Sequence, residues 1–333
     1  MLPVNSMNKK KITVVIPTIR NLDFLESWGD EFRDCIGIIV EDHAQKEIQT
    51  PTKYFKKVYH YNWTDVDKEL GNDSWIIPRI NAGIRSYGFL KSYQLGADIT
   101  LTLDDDCYPI KGQEFLKQHL ENLSLSAPED WFPTYPHRKY CYTRGFPYGV
   151  RNKREVVISH GLWKGVLDLD APTQLLNLDL KVPVSFDFLE FVPIGYFFPM
   201  CSMNLAFKTK ITPIMYFPLM GESPLGKPWG YDRFDDIWAG IFAKKIVDHL
   251  GLAVVNGSPF VMHERASNVF KNLQTEAGGI EVNENFFKKV DRAKLSSSNI
   301  KDCYWELAQK TKFPNEKYFD NLRKAMKIWV NLF

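Results

Sequence analysis

The chain lacks a charge bias, a long apolar run and any clustering of cysteine, and each absence removes a class of function. Lys and Arg number 42 against 40 Asp and Glu, a formal net charge of +2. That balance exerts no general pull on nucleic acid or an anionic membrane, so a polyanion would need a local patch. No apolar run reaches the roughly 18 residues of a spanning helix. The start, MLPVNSMNKKKITVVIPT, passes from lysines straight into a strand-like run, without the apolar segment and cleavage site of a secretory signal. Cys35, Cys107, Cys141, Cys201 and Cys303 are odd in number, widely spaced and never form a CxxC. Neither a zinc cluster nor a disulfide framework is expected; buried thiols in the reducing cytoplasm are. Repeats, low-complexity tracts and flexible linkers are absent as well.

What is present is a chain of 333 residues, 44% hydrophobic, long enough to bury a sizeable core. Ile12–Ile16 is a β-branched run ended by Pro17, as in a buried parallel strand. Asn21 is placed to cap a helix bearing Phe24, Leu25, Trp28 and Phe32. A second buried strand, Ile36–Val40, runs into Glu41-Asp42. Pro78 suits the first turn of a helix with Ile80, Ile84, Tyr87 and Leu90 on one face, stopping at Gly96. A third strand, Ile99–Leu103, runs into Asp104-Asp105-Asp106. This alternation predicts an α/β fold with a doubly wound, mostly parallel sheet, whose ligands bind beyond the carboxyl ends of the strands. The stretch from about 125 to 235, rich in Pro, Gly and aromatics, reads as short strands and long loops forming an acceptor-side wall. A helix over Asp235–Leu250 and a strand over Leu252–Val255 follow, and the chain turns helical from about 284. One catalytic domain over 1–280 with a helical extension over 281–333 packed on it is expected.

Several residues carry chemistry, each with a plainer alternative. Three carboxylates at a strand tip repel one another unless a cation sits among them, and hard cations such as Mn²⁺ or Mg²⁺ bridge carboxylates to a diphosphate. Strand alternation would turn Asp104 and Asp106 to the metal and Asp105 away; the alternative is a solvated acidic turn. Arg85 neutralises a phosphate or orders a carboxylate, or is a surface helix arginine. Asp42 accepts from a base or ribose, or closes a turn. His263 completes the metal site through an imidazole nitrogen, or is an ordinary packed histidine. Asp235-Asp236 complement a helix dipole, or one of them acts as a base or stabilises positive charge at a sugar carbon. Arg144 and Arg151 flank a Gly/Pro loop that clamps a diphosphate, or are surface arginines.

Taken together these segments resemble the reversibly glycosylated polypeptide family, whose plant members include the UDP-arabinopyranose mutases, and the A-type nucleotide-sugar glycosyltransferase fold. The resemblance rests on Val14-Val15-Ile16-Pro17-Thr18-Ile19-Arg20, Leu103-Asp104-Asp105-Asp106-Cys107, Arg144-Gly145-Phe146-Pro147 and Ser159-His160-Gly161-Leu162-Trp163. It continues through Asp168-Leu169-Asp170-Ala171-Pro172-Thr173-Gln174, Phe234-Asp235-Asp236-Ile237-Trp238-Ala239-Gly240 and Arg265-Ala266-Ser267-Asn268. It runs from about residue 12 to 275 and is weak over 43–77 and the C-terminal 50 residues, a divergence that points outside the plants. The resemblance implies a cytosolic, Mn²⁺- or Mg²⁺-dependent enzyme that interconverts UDP-arabinopyranose and UDP-arabinofuranose and is reversibly glycosylated on an arginine. It marks Arg144 as that arginine and Arg151 as a second required one. Its nucleotide-sugar set is Pro17, Thr18, Arg20, Asp42, Arg85, Asp104, Asp105 and His160, its metal set Asp104, Asp106 and His263. Asp235 and Asp236 join the catalytic residues, and assembly with like or related chains is implied. The fold by itself leaves open transfer from a UDP-sugar to a glycan, lipid or small-molecule acceptor, and a third reading is a self-glycosylating scaffold.

Overall fold

The structure is a computed structural model that describes residues 10–129, 131, 142–178, 180–182, 188–264 and 268–333. Residues 1–9, Cys141 and residues 265–267 of the last resembling segment lie outside the described residues. The strands are β1 (Ile12–Thr18), β2 (Ile36–Glu41), β3 (Lys57–Tyr61), β4 (Ile99–Leu103), β5 (Cys107–Pro109), β6 (Ser126–Ala127), β7 (Arg154–Val166), β8 (Lys181–Val182), β9 (Leu189–Phe191), β10 (Asn204–Lys208) and β11 (Ala253–His263). The helices are α1 (Leu25–Trp28), α2 (Trp63–Leu70), α3 (Arg85–Gln94), α4 (Phe115–Leu123), α5 (Ala171–Leu176), α6 (Asp235–His249), α7 (Val269–Asp291), α8 (Ile300–Lys310) and α9 (Lys317–Val330).

The sheet runs β3-β2-β1-β4-β10-β7-β11-β5. β3, β2, β1 and β4 are mutually parallel; β10 enters antiparallel between β4 and β7, and β11 lies parallel to β7. The chain therefore reverses its direction of winding between β1 and β4, the place where doubly wound sheets open a ligand crevice. Val15 faces a core shared with α3, α6, α8 and α9, while Val14 and Ile16 face a second core with α1 and α4. Both faces of the central strands are covered, which is why they read as continuous apolar runs. Helix α3 approaches through Gly88, where a Cβ would collide with Val15 and Val40. Pro17 is tolerated inside β1 because pairing with β4 ends at Val15–Thr102.

Local signals fail in definite places. Asn21 caps nothing: the helix is only Leu25–Trp28, with Phe24 at its N-cap, although Phe24 and Phe32 are buried as expected. The helix expected at Pro78 begins later, at Arg85 after a 3₁₀ turn over Ala82–Ile84. Ile80 points outward, 58% exposed and at φ 53°, because the N–H groups of Ile80 and Asn81 donate to Asp42. The stretch expected to hold short strands and long loops contains short strands such as β10, but also the 13-residue strand β7. The strand foreseen at Leu252–Val255 extends to His263, and the C-terminal helices begin at Val269. No helix among the described residues is long and apolar enough to cross a membrane.

The C-terminal helices share the core of the sheet. Trp238 on α6 is fully buried, stacks on Phe286 of α7 at 4.4 Å and donates through Nε1 to Asn283. Trp238→Ala should cost about 3–5 kcal/mol in chemical unfolding. A loss below about 1 kcal/mol would show that α7 does not stabilise the sheet domain.

Candidate active site

Three parallel strands end side by side, and their tips carry the polar groups. Thr18, the last residue of β1, donates from Oγ1 to Asp105 Oδ2 at 2.6 Å, and Arg20 Nη2 sits 3.2 Å from Asp105 Oδ1. Burial pushes the Asp105 carboxyl above its usual range, against the pull of Thr18 and Arg20. The triplet is a turn between β4 and β5, beyond the last β4 residue, so strand alternation does not govern it. Asp105 nonetheless faces away from Asp104, which turns to Arg85.

Arg85 is completely buried. Its Nη2 lies 2.6 Å from Asp104 Oδ1, Nη1 donates to Thr102 Oγ1 and the Ser202 carbonyl, and Nε donates to the Ala82 carbonyl. The arginine thus orders a carboxylate and has no nitrogen left for a phosphate. Asp42 is also engaged: Oδ1 accepts from Trp63 Nε1 (2.6 Å) and the Ile80 N–H, and Oδ2 accepts from the Asn81 N–H. Its carboxylate shapes the Ile80–Asn81 turn. His160 lies inside β7, with Nδ1–H on Asn256 Oδ1 (2.7 Å) and Nε2 accepting the Cys201 N–H (2.9 Å). Burial lowers its pKa to about 4, so it is a neutral structural imidazole.

A cleft of about 850 Å³ opens beneath these tips, a volume suited to a nucleotide-sized ligand. Asp104, Asp235 and Asp236 line it, and so do Asp168, Asp170, Asp232 and Arg233, which the sequence alone did not single out for a role. Asp235 and Asp236 open α6 and diverge. Asp235 is buried beneath the Ala82–Gly83 turn, and its Oδ2 finds no partner among the described residues. Burial, then the neighbouring Asp236 charge, drives its pKa far up. Asp236 Oδ2 accepts from the Ser202 N–H and Oγ at 3.0 Å each, and burial with the nearby Asp168 charge holds it at about 6. Asp168 Oδ2 accepts from Cys201 Sγ at 3.2 Å, and Asp170 caps α5 through the Thr173 N–H. The floor therefore offers two adjacent carboxyls that burial raises to different degrees, Asp236 to about 6, as expected of proton-transfer groups.

Arg144 and Arg151 do not line this cleft. Arg144 is exposed on a turn. Arg151 is enclosed, its guanidinium 4.6 Å from the Tyr142 ring and 4.0 Å from the Tyr148 ring, with Nη2 donating to the Phe146 carbonyl. It braces the loop that carries Arg144.

For a metal, the donor chemistry is suitable but the donors are dispersed. His263 Nδ1–H donates to the Val166 carbonyl, which leaves Nε2 as the ring nitrogen open to a metal. His263 pairs in register with Cys107, the neighbour of Asp106. Yet among the described residues no three His, Cys, Asp or Glu side chains are gathered closely enough to hold an ion, and Asp104 is already paired with Arg85.

The model of the reversibly glycosylated polypeptide family matches residues 7–333. The chain is 38% identical over 346 residues to UDP-arabinopyranose mutase 1 of Arabidopsis thaliana, covering 99% of this chain and 94% of that protein. It is 36% identical over 344 residues to UDP-arabinopyranose mutase 1 of Oryza sativa subsp. japonica, covering 99% and 92%. The likeness thus runs through 43–77 and the C-terminus, where the motifs alone ran out. Among solved structures, glucosyl-3-phosphoglycerate synthase from Mycobacterium tuberculosis with Mn²⁺ and UDP-glucose is 13% identical, covers 84% of this chain and 79% of that one, and gives a TM-score of 0.43. That likeness is slight.

The buried acids make a signed prediction about stability. Asp236 titrates from 3.8 in the unfolded chain to about 6 in the fold, so the folded state holds the proton more tightly. Its contribution is fully present below the unfolded value and is lost as pH rises through the folded one. Asp236→Asn should flatten the fall in stability across that window, measured by denaturant titration at stepped pH. An unchanged slope would remove Asp236 as the titrating group.

Proposed function

The chain belongs to the reversibly glycosylated polypeptide family, and on that premise we propose that it is a UDP-sugar mutase interconverting UDP-arabinopyranose and UDP-arabinofuranose. The observation that carries the proposal is the 38% identity to UDP-arabinopyranose mutase 1 over 99% of the chain. The cleft supports it with a polar rim at the winding reversal and two acids of unequal pKa on its floor.

In this reading the anomeric C–O bond breaks and its electron pair leaves with the UDP β-phosphate, while the ring oxygen supports the cationic carbon. Opening and reclosing through a different hydroxyl requires one sugar oxygen to gain a proton as another loses one. Asp235, whose proton burial makes harder to lose, donates, and Asp236, titrating near 6, receives. The UDP β-phosphate oxygen then returns its electron pair to the anomeric carbon and the C–O bond re-forms. Thr18, Arg20 and Asp105, bonded to one another at the tips of β1 and β4, would form the nucleotide side, and Arg85 keeps Asp104 fixed. Mn²⁺ or Mg²⁺ belongs to the proposal: Asp104, Asp106 and His263 would hold it, and when bound it would take up charge on the leaving diphosphate. Reversible glycosylation of Arg144 belongs to it as well, supported by the resemblance of the Arg144–Arg151 segment. A guanidinium nitrogen bonding the sugar must lose a proton to a carboxylate. A cytoplasmic setting fits the burial of Cys35, Cys107, Cys201 and Cys303 as thiols.

The test is incubation with UDP-arabinopyranose and Mn²⁺ without an acceptor, followed by chromatography of the nucleotide sugars. The furanose form is the expected product. UDP release only when an acceptor sugar is supplied would make the chain a glycosyltransferase instead. Asp106→Asn should reduce turnover by about 10- to 100-fold at limiting Mn²⁺, and normal turnover would remove Asp106 from the metal set. Arg144→Lys should abolish labelling of the protein by radioactive UDP-sugar; labelling to the normal extent would show that another residue carries the sugar.

A further inference from the structure

The cleft is strongly acidic for a place that has to hold a diphosphate. Asp104, Asp168, Asp232, Asp235 and Asp236 all border it, and the buried Arg85 has every nitrogen engaged inside the protein. Arg233 borders it too and is held quite differently. It sits at φ 62°, in the left-handed region that an L side chain occupies only when its surroundings demand it. Its backbone N–H donates to Asp232 Oδ1 at 2.8 Å. Its Nε donates to Glu276 Oε1 at 2.6 Å, and the other oxygen of that buried glutamate accepts the Ala171 N–H at 2.7 Å. Gly279, one turn further along α7, packs so closely on Phe234 that a Cβ would collide with the ring. Helix α7 therefore grips the turn on both sides just before Asp235.

One edge of the Arg233 guanidinium is fixed by Glu276. Its two terminal nitrogens donate to no described residue, and the side chain is 35% exposed at the cleft. A planar fork held by its Nε edge presents its remaining donors in a single orientation, the arrangement that suits bidentate binding of phosphate oxygens. Lys271 borders the cleft as well, but of the two arginines only Arg233 both lines it and has terminal nitrogens left to offer. We propose that Arg233 is a diphosphate-binding residue of this cleft, oriented by Glu276. The inference rests on the nucleotide-sugar reading of the site and adds to it a residue and a contact.

The experiment compares UDP with uridine by calorimetry, in the wild-type chain and in Arg233→Gly. Glycine adopts a φ near 62° without strain, so the turn before α6 keeps its path while the guanidinium is lost. UDP should bind about tenfold or more weakly, with uridine affinity unchanged. Unchanged UDP affinity would overturn the inference and leave the nucleotide reading standing. An equal loss for UDP and uridine would overturn it too, because it would mean that the turn, not the phosphate contact, had been damaged. Failure of the wild-type chain to bind UDP at all would remove the nucleotide reading itself, and the inference with it.

Discussion

The site depends on a single buried ion pair. Arg85, completely buried at the start of α3, holds Asp104 at the tip of β4 and at the same time ties down Thr102, the Ser202 carbonyl and the Ala82 carbonyl. Those contacts join α3, β4, the approach to β10 and the turn above Asp235. An unpaired guanidinium at this depth would carry a desolvation cost of several kcal/mol, and the pair is tolerable because each of its three nitrogens is hydrogen-bonded. It also sets the register of the cleft. Asp104 cannot swing freely, and the Ser202 carbonyl that receives Arg85 belongs to the residue whose N–H and hydroxyl hold Asp236. Strand tip and cleft floor are thereby one hydrogen-bonded unit.

Asp235 and Asp236 show how adjacent residues acquire different chemistry. Successive helical positions point about 100° apart, so only one can face the Ala82–Gly83 turn while the other meets Ser202. The first loses water and gains no hydrogen bond at Oδ2; the second loses water but gains two donors. The difference in pKa follows from that geometry alone. Ser202 therefore shapes the chemistry although its own side chain is neutral.

The parallel half of the fold was legible in the sequence because burial on both faces forces β1, β2 and β4 into unbroken β-branched runs with polar ends. Asp104, Asp235 and Asp236 could be picked out for the same local reason: carboxylates abutting apolar elements are conspicuous. Edge strand β3, Lys57-Val58-Tyr59-His60-Tyr61, is polar and part-exposed, so it lacked that signature. Ile80 was misplaced because Ile80, Ile84, Tyr87 and Leu90 imitate a helical face, whereas Asp42 captures the Ile80 and Asn81 N–H groups from 38 and 39 residues away. His160 and Asp42 looked like ligand contacts because their motifs are distinctive, yet their polar atoms are engaged within the protein. The Glu276 contacts with Ala171 and Arg233 span 105 and 43 positions, and no local pattern announces a partnership across such distances.

Charge finally constrains how such a cleft can work. Six aspartates border it, and full ionisation of all six beside a bound diphosphate would be prohibitive at low dielectric. Two responses are built into the chain. Burial disfavours the charged form of Asp235 and raises Asp236 to about 6, weakening negative charge where a sugar would lie. Arg85 cancels Asp104 from within the protein, and Arg233, held by Glu276, borders the cleft itself. An arrangement of this kind favours a ligand that brings its charge to the rim and its neutral part to the floor. A nucleotide-sugar has that polarity, with a dianionic bridge between a neutral base and a neutral sugar. The acids on the floor then meet hydroxyl groups, with which they can exchange protons, and not phosphate oxygens, which they would repel.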